Sequence, residues 1–147
     1  MNFDLFIDRL NSLQRSISIS SPVSMVVKRT YWGAPAGAIS DLPAIINTLS
    51  EPERSLGMGA RRESMYRVAV QILVARATPE DERSSRIATA FWFAAKAVFD
   101  ADRTIGSTVT HAILQGANPT VPVLLQHGGQ AYIGVDALLD IDHIEMG

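Results

Sequence analysis

The stretch that decides the fold is residues 66–100, YRVAVQILVARATPEDERSSRIATAFWFAAKAVFD. Its first part has an apolar, β-branched side chain at every second position: Val68, Val70, Ile72 and Val74. An alternation of period two is typical of a β-strand with one buried face. This segment is therefore predicted to be a strand.

The second part of the stretch predicts a long helix. Thr78 is placed to cap its N-terminus, Pro79 fits the first helical position, and the acidic residues 80–82 complement the positive end of the helix dipole. The helix is expected to reach about Asp100. Its buried stripe consists of Ile87, Phe91, Ala94, Ala95 and Val98, flanked by Trp92 and Phe99. Because a large buried apolar side chain contributes ~1.5–3 kcal/mol and an exposed ion pair ~0–1 kcal/mol, packing of this helix on a sheet should dominate stability.

Upstream of this stretch, apolar residues recur at three- and four-residue intervals near the N-terminus, which predicts an amphipathic helix. They are Phe3, Phe6, Leu10, Leu13 and Ile17.

Residues 23–31 are rich in β-branched side chains and predict a strand. Pro43 places the apolar run 41–49 at a strand start or a sheet edge. Residues 50–63 combine Pro, Gly, Ser and charges without an apolar period, so a long exposed loop is predicted there.

Downstream, residues 104–116 fit either a short helix or a strand, and the helix is favoured. Residues 121–126 and 131–145 flank the turn His127-Gly-Gly-Gln130, which predicts a β-hairpin. Together the elements predict one α+β domain over residues 1–147. It would be a mixed or antiparallel β-sheet with one long helix packed on one face, plus an N-terminal helix.

Composition limits the class of protein. The chain has 147 residues, 47% hydrophobic and 19% charged, which is globular and not disordered usage. It has no cysteine, which excludes disulfides and thiolate metal sites and suits a reducing compartment.

Asp4 and Asp8 interrupt the apolar N-terminus, so a secretory signal is not expected. The longest apolar stretch, residues 87–99, is interrupted by Lys96 and is too short to span a bilayer, so no membrane partner is expected.

Motifs that carry chemistry are missing from the sequence. His111, His127 and His143 lie in separate segments without metal-ligand spacing. Residues 100–106 approach a calcium loop, but the glycine falls one position late and position twelve is His111 instead of Glu, so acidic residues in a turn that ends a helix are the preferred reading. Gly57-Met-Gly59 fits neither a dinucleotide fingerprint nor a phosphate loop. No catalytic residue, cofactor or metal is therefore predicted, and the chain is not expected to be an enzyme.

Charge is unevenly distributed along the chain. Residues 25–76 carry seven basic and four acidic side chains, whereas residues 77–147 carry four basic and nine acidic side chains. A ring of subunits that repeats the arginines would line a channel with positive charge and come close to DNA without specificity, although a solvated loop is the simpler reading. Tyr31 and Trp32 are either an interface anchor or buried under the N-terminal helix. The candidate contact residues are Arg54, Arg61, Arg62, Arg67, His127, Asp140 and Asp142.

Several short motifs, taken in order, resemble small phage tail terminator and tail-completion proteins. The early ones are Leu42-Pro-Ala44, the polar stretch after it, and the strand of residues 66–74. The later ones follow the long helix and are Arg103-Thr-Ile-Gly106, Ala131-Tyr-Ile-Gly134 and Leu138-Leu-Asp-Ile141. The similarity covers most of the chain. Family members with two glycines in the first of these later turns differ from Gly106-Ser107 here.

The resemblance implies a structural protein of the virion tail, assembled in the host cytoplasm. Such proteins form hexameric rings on the last ring of the tail tube, end its polymerisation and join the tail to the head. The implied partners are other copies of the chain, the tail-tube protein and the head–tail connector or neck protein. A head-completion or neck connector protein is the neighbouring alternative. A small-molecule-binding or enzymatic α+β domain, with a pocket between the long helix and the sheet, is the alternative from another class.

Overall fold

The structure is a computed structural model that describes residues 1–58, 61–78, 81–116 and 121–146. For residues 51–58, 61 and 146 it describes the backbone but not the side chains. The helices of this part of the chain are α1 (Phe3–Arg15) and α2 (Glu82–Ala101). Its strands are β1 (Ser18–Ile19), β2 (Met25–Val26), β3 (Arg29–Trp32), β4 (Ala44–Met58), β5 (Arg61–Arg76), β6 (His111–Gly116), β7 (Val123–His127) and β8 (Gln130–Met146).

The main sheet has the strand order β3-β4-β5-β8-β6. Strand β7 pairs with the first residues of β8, along the same edge of β8 that carries β6. β3 and β4 are parallel and the other neighbours are antiparallel, so the sheet is mixed. β1 and β2 form a separate two-stranded ribbon. The α+β fold predicted from the sequence is confirmed.

Both helices pack on one face of this sheet, the helical face. The predicted alternation in β5 is confirmed, because Val68, Val70, Ile72 and Val74 are all buried there. From α2 the core receives Ile87, Ala88, Phe91, Ala95 and Phe99, and from α1 it receives Phe6 and Leu10. The buried amides of Gln14 and Asn47 exchange two hydrogen bonds of 2.7 and 2.8 Å, which fix α1 on β4. The interior between α2 and the sheet is therefore filled with side chains.

A second, smaller core covers one end of the opposite face. Ile39, Ala44, Ile46, Leu73, Leu125 and Tyr132 form it. The hydroxyl of the fully buried Tyr132 accepts a 2.8 Å hydrogen bond from the backbone N–H of Ile39. The predicted β7–β8 hairpin is confirmed, with Gly128 and Gly129 at its turn in the left-handed region. Pro43 directly precedes β4, so the predicted strand start is confirmed as well.

The prediction of a long loop at residues 50–63 is wrong. β4 and β5 continue to pair through Leu56–Glu63, Gly57–Arg62 and Met58–Arg61, while residues 59–60 lie outside the described residues. β8 pairs with the same part of β5, as far as Arg61–Met146. Backbone hydrogen bonds hold this segment in β structure. Because these bonds do not depend on the side chains, the segment can pair without the alternation of apolar residues that would have revealed a strand in the sequence.

The predicted cap of the long helix is wrong by three residues. α2 begins at Glu82, and its N-cap is Asp81, whose Oδ1 accepts a 2.9 Å hydrogen bond from the backbone N–H of Ser84. Hydrogen bonds from the side chain and the backbone of Ser84 lower the pKa of Asp81. Thr78 donates to the Asp81 carboxylate instead of capping the helix, and Pro79 lies outside the described residues.

Two further predictions need correction. The helix favoured at residues 104–116 is wrong, because a turn leads into strand β6, which was the alternative reading. The single strand predicted at residues 23–31 is two short strands. The chain changes partners there, because Val27 N–H bonds to Ile17 O and Lys28 N–H bonds to Pro43 O.

Candidate functional site: the open face of the sheet

Beyond the second core, the sheet face opposite the helices is open to solvent over part of β5, β8 and β6. Two cross-strand rows of side chains lie here. The first row joins Met65, Asp142 and His111, and the second joins Arg67, Asp140 and Ile113. These six residues are called the open face below. Antiparallel pairing places directly opposed side chains within about 5.5 Å at Cβ, so each row forms one contiguous surface.

The open face contains a cavity of about 220 Å³. All six open-face residues line it, together with Tyr66 and Ile141. Its surface mixes the apolar side chains of Met65 and Ile113 with two carboxylates, a guanidinium and an imidazole. It lies on the opposite side of the sheet from the pocket that the ligand-binding or enzymatic alternative implied, and the space under α2 is occupied by core side chains such as Phe91.

Asp140 is the best-satisfied charge of the open face. Its Oδ1 accepts a 2.7 Å hydrogen bond from Arg67 Nε, and its Oδ2 accepts a 2.9 Å bond from Gln115 Nε2. The Arg67 and Asp140 side chains keep 38% and 33% of their surface exposed, so this ion pair contributes at most about 1 kcal/mol. Its main effect is geometric, because it holds one guanidinium and one carboxylate in fixed positions beside the cavity.

Asp142 is less well satisfied by hydrogen bonds than Asp140. Its Oδ1 is buried and has no hydrogen-bond partner among the residues that the structure describes. Its neighbour across the strands, His111, lies with Nε2 at 3.4 Å from Arg103 Nη1. A buried carboxylate oxygen without a donor costs about 1–3 kcal/mol or more. The side chain of Asp142 therefore carries a buried acceptor that the described residues leave without a donor and that is closed to solvent in this structure.

The structure brings three of the seven candidate contact residues together on the open face and pairs the backbone of a fourth, Arg54, with that of Met65 beside it. Arg67, Asp140 and Asp142 share the open face. Arg62 lies further along β5, opposite Glu145. The side chains of Arg54 and Arg61 fall outside the described residues, although both positions lie in paired backbone. His127 lies at the end of β7 and is hydrogen-bonded through Nε2 to Gln71 Oε1 at 2.9 Å.

Other residues of the open face were not found from the sequence. Met65 precedes Arg67 by two positions, so extending the alternation of β5 backwards would have placed it on this face. Ile113 and His111 were hidden by the ambiguity of residues 104–116. Of the two aromatics singled out as interface anchors, Trp32 stays 37% exposed at the end of β3, and Tyr31 packs on the second core.

Arg62 and Glu145 belong to a second charged group at the far end of β5 and β8. The terminal amino group of Met1 donates a 2.6 Å hydrogen bond to Glu145 Oε1, and His143 Nε2 lies 3.5 Å from the same atom. The Met1 ammonium, with smaller contributions from His143 and Arg62, lowers the pKa of Glu145. Basic residues of the 25–76 segment and acidic residues of the 77–147 segment therefore meet on the adjacent strands β5 and β8 of one sheet.

The acidic residues at the end of α2 form a turn. This is the interpretation that the sequence favoured over a calcium loop. The carboxylate of Asp102 accepts hydrogen bonds from Thr104 N (3.2 Å), Thr104 Oγ1 (3.0 Å) and Gly106 N (2.9 Å). Ile105, Gly106 and Ser107 all adopt positive φ, at 48°, 62° and 64°. A left-handed conformation costs a β-branched residue about 1–2 kcal/mol, which the complete burial of Ile105 offsets.

We expect Asp102→Asn to lower the free energy of unfolding by about 1 kcal/mol at neutral pH, because charged acceptors make the stronger hydrogen bonds. The Gly106 N–H is the largest of the causes that hold the pKa of Asp102 below its ordinary 3.8. This contribution is therefore complete above pH 3.8 and is lost as the pH falls below it. Urea unfolding at several pH values checks this. Equal stability of variant and wild type at pH 7 would contradict it.

The described residues contain no group of three His, Asp or Glu side chains placed to hold a metal ion. Within the same part of the chain, neither helix is long and apolar enough to cross a membrane. Comparison with models of protein families finds none that matches this chain, and comparison with curated proteins finds none either.

Proposed function

We propose that the chain is a structural subunit of a phage tail, which forms a ring on the end of the tail tube, stops tube growth and provides the surface for head joining. The motifs that suggest this family lie at positions that build the fold. Leu42-Pro-Ala44 leads into β4, Arg103-Thr-Ile-Gly106 forms the turn after α2, and Ala131-Tyr-Ile-Gly134 lies at the start of β8.

The open face is the observation that carries the proposal. It combines apolar side chains with a carboxylate whose buried oxygen has no donor among the described residues. Protein interfaces have this character, with apolar groups at the centre and charged groups that find partners across the contact. One face of the sheet thus stabilises the subunit through its helices, and the other is available to bind a neighbouring protein.

The extension of β4, β5 and β8 supports the same function. These strands remain paired to Met58, Arg61 and Met146, beyond the cross-strand pairs that Met65 forms with Arg54 and Asp142. We infer that this three-stranded extension contacts the tail tube or the connector. Because this segment is already paired, contact with a partner would not have to order it first.

The ring should depend on salt. Some charges of the basic segment are neutralised within the subunit, as Arg67 is by Asp140 at 2.7 Å, and the remaining ones are proposed to pair between subunits. Raising the salt from ~0.05 to ~1 M shortens the screening length from over 10 Å to about 3 Å, so we expect partial dissociation. Sedimentation velocity measures it. The same oligomer at both salt concentrations would contradict charge pairing between subunits.

Negative-stain electron microscopy and native mass spectrometry of the purified chain test the ring itself. We expect rings with a central channel and a mass of six times the 16.0 kDa of one chain. A chain that remains monomeric at every protein and salt concentration would contradict the proposal.

The alternative, a head-completion or neck connector protein, shares the ring and differs in its partner. A terminator binds the end of the tail tube, whereas a neck protein binds the connector of the head. Co-sedimentation of the purified chain with each of these assemblies from the same genome separates the two. Genes for tail-tube and tape-measure proteins beside this gene would favour a phage structural protein over a metabolic one.

A further inference from the structure

We propose that the solvent side of α2 binds the same surface of a second copy of the chain, with the two helices antiparallel. This surface, called the α2 seam below, consists of Arg86, Ala90, Phe93, Ala97 and Asp100. The contact is isologous, because both copies use the same residues. It is separate from the ring contact of the proposed function, and it joins two free subunits or two whole rings.

The α2 seam is open to solvent along its whole length. Its five residues are spaced four, three, four and three positions apart, which places them on one line along a helix. Phe93, at the centre, keeps 67% of its surface exposed. The other four residues are exposed or partly exposed as well. The seam therefore presents a large aromatic side chain that nothing in the described part of the subunit covers.

The side chains next to Phe93 leave room for the ring of a second copy. Ala90 precedes Phe93 by three positions and Ala97 follows it by four, so each lies about one helical turn away. Small side chains at a helix contact allow the two axes to approach to about 8 Å, the short end of the usual range. Each phenyl ring can then pack on the alanines of the other helix and lose its contact with water.

The charges at the two ends of the α2 seam identify the partner as a second copy and set the orientation. Arg86 lies seven positions before Phe93, and Asp100 lies seven positions after it. Seven residues of helix span about 10 Å. An antiparallel pair centred on Phe93 therefore places Arg86 of each copy opposite Asp100 of the other, so the favourable contact forms twice. A parallel pair would bring like charges together at both ends.

Both charged groups have hydrogen-bonding capacity left for this contact. Arg86 Nη2 donates to Glu82 Oε1 at 2.7 Å, between side chains that are 71% and 77% exposed. Asp100 Oδ1 lies 3.4 Å from both Lys96 Nζ and Arg103 Nη2. Among the described residues, Nη1 and Nε of Arg86 and Oδ2 of Asp100 form no hydrogen bond. Exposed pairs like these contribute at most about 1 kcal/mol, so they do not prevent a contact between copies.

The pairing should be weak, because the seam spans only about 21 Å of helix. Contacts of this size are typical of transient complexes, and we expect a dissociation constant on the order of 100 µM. At much lower protein concentrations the proposed ring should therefore remain unpaired.

Cysteine cross-linking tests the contact and its orientation, because the chain has no cysteine of its own. In the antiparallel pair, Ala90 of one copy lies about one residue along the axis from Ala97 of the other, within reach of a disulfide. Two copies of Ala90 are offset by about 9 Å and two copies of Ala97 by about 12 Å, beyond that reach. An equal mixture of Ala90→Cys and isotope-labelled Ala97→Cys chains should form the mixed disulfide at least tenfold faster than either symmetric one, by mass spectrometry.

Charge reversal supplies an independent test by sedimentation equilibrium. Arg86→Asp or Asp100→Arg alone places like charges opposite each other twice, so we expect at least tenfold weaker pairing. The double variant Arg86→Asp/Asp100→Arg restores opposite charges at both ends and should recover it. Asp41→Arg is the matched control for Asp100→Arg, because it makes the same change on an exposed residue outside α2 and should leave pairing unchanged.

Circular dichroism verifies that every variant is folded. Symmetric disulfides that form as fast as the mixed one would overturn the antiparallel seam, as would wild-type pairing strength in either single charge reversal. No pairing of the wild-type chain at several hundred micromolar, well above the constant expected for a transient contact, would overturn it as well. Each of these results leaves the proposed ring standing, because the ring does not use the α2 seam.

Discussion

Replacing Phe91 with aspartate is expected to leave the chain unfolded at neutral pH and room temperature. Phe91 is fully buried at the centre of the face that α2 presents to the sheet. Removing such an aromatic ring costs about 3–5 kcal/mol, and the aspartate adds the cost of a buried charge without a partner. The sum approaches the whole stability of an ordinary domain, about 5–15 kcal/mol. Far-UV circular dichroism and urea unfolding measure the loss.

Phe93→Asp is the matched control, because it makes the same substitution two residues further along the same helix. The Phe93 side chain is 67% exposed, and substitutions at such positions usually change stability by about 0.5 kcal/mol or less. We expect this variant to fold like the wild type. If both variants unfold, or if Phe91→Asp keeps a cooperative transition at wild-type denaturant concentration, the packing of α2 described above is incorrect.

The second large effect is expected from Gly134→Ala. A Cβ atom at Gly134 would overlap the carbonyl oxygen of Ile72, a backbone atom of the neighbouring strand β5. Strand β8 cannot move away easily, because it also pairs with β7 at this residue. We expect a loss of about 3 kcal/mol, or about 10 °C in Tm. Thermal unfolding followed by circular dichroism provides the measurement.

Gly129→Ala provides the comparison for this glycine. Gly129 has φ +75°, but no atom lies within 4 Å of the Cβ it would carry. The cost is then limited to backbone strain of about 1 kcal/mol. Equal losses in the two variants would show that the close approach of β8 to Ile72 does not limit stability.

The sequence allowed the elements with strong periodicity to be predicted. α1, α2, β5 and the β7–β8 hairpin each bury one face, so their apolar residues recur at the helical or strand period. The extension of β4 and β5 past Glu51 escaped prediction because it is held by backbone pairing, which does not depend on an apolar pattern. The segment before β6 was predicted wrongly because Ile105 and Val109 are spaced as in a helix. In the structure Ile105 lies in a turn and Val109 in a bend, and both side chains are buried.

The candidate site was predictable only as a set of charges. Arg67, Asp140 and Asp142 were identified from charge and alternation, but their proximity depends on the register between β5 and β8, which places Arg67 opposite Asp140. Strand register between residues 73 positions apart is fixed by packing of the whole sheet. For the same reason, the division into a basic and an acidic segment did not reveal that both meet within one subunit.

The most direct measurement of the central claim is the length of tail tubes grown from the tail-tube protein of the same genome, with and without the purified chain. If the chain is a terminator, its addition shortens the tubes, and electron microscopy shows a ring at one end of each tube. Tubes that grow to the same length with the chain left in the supernatant would contradict it.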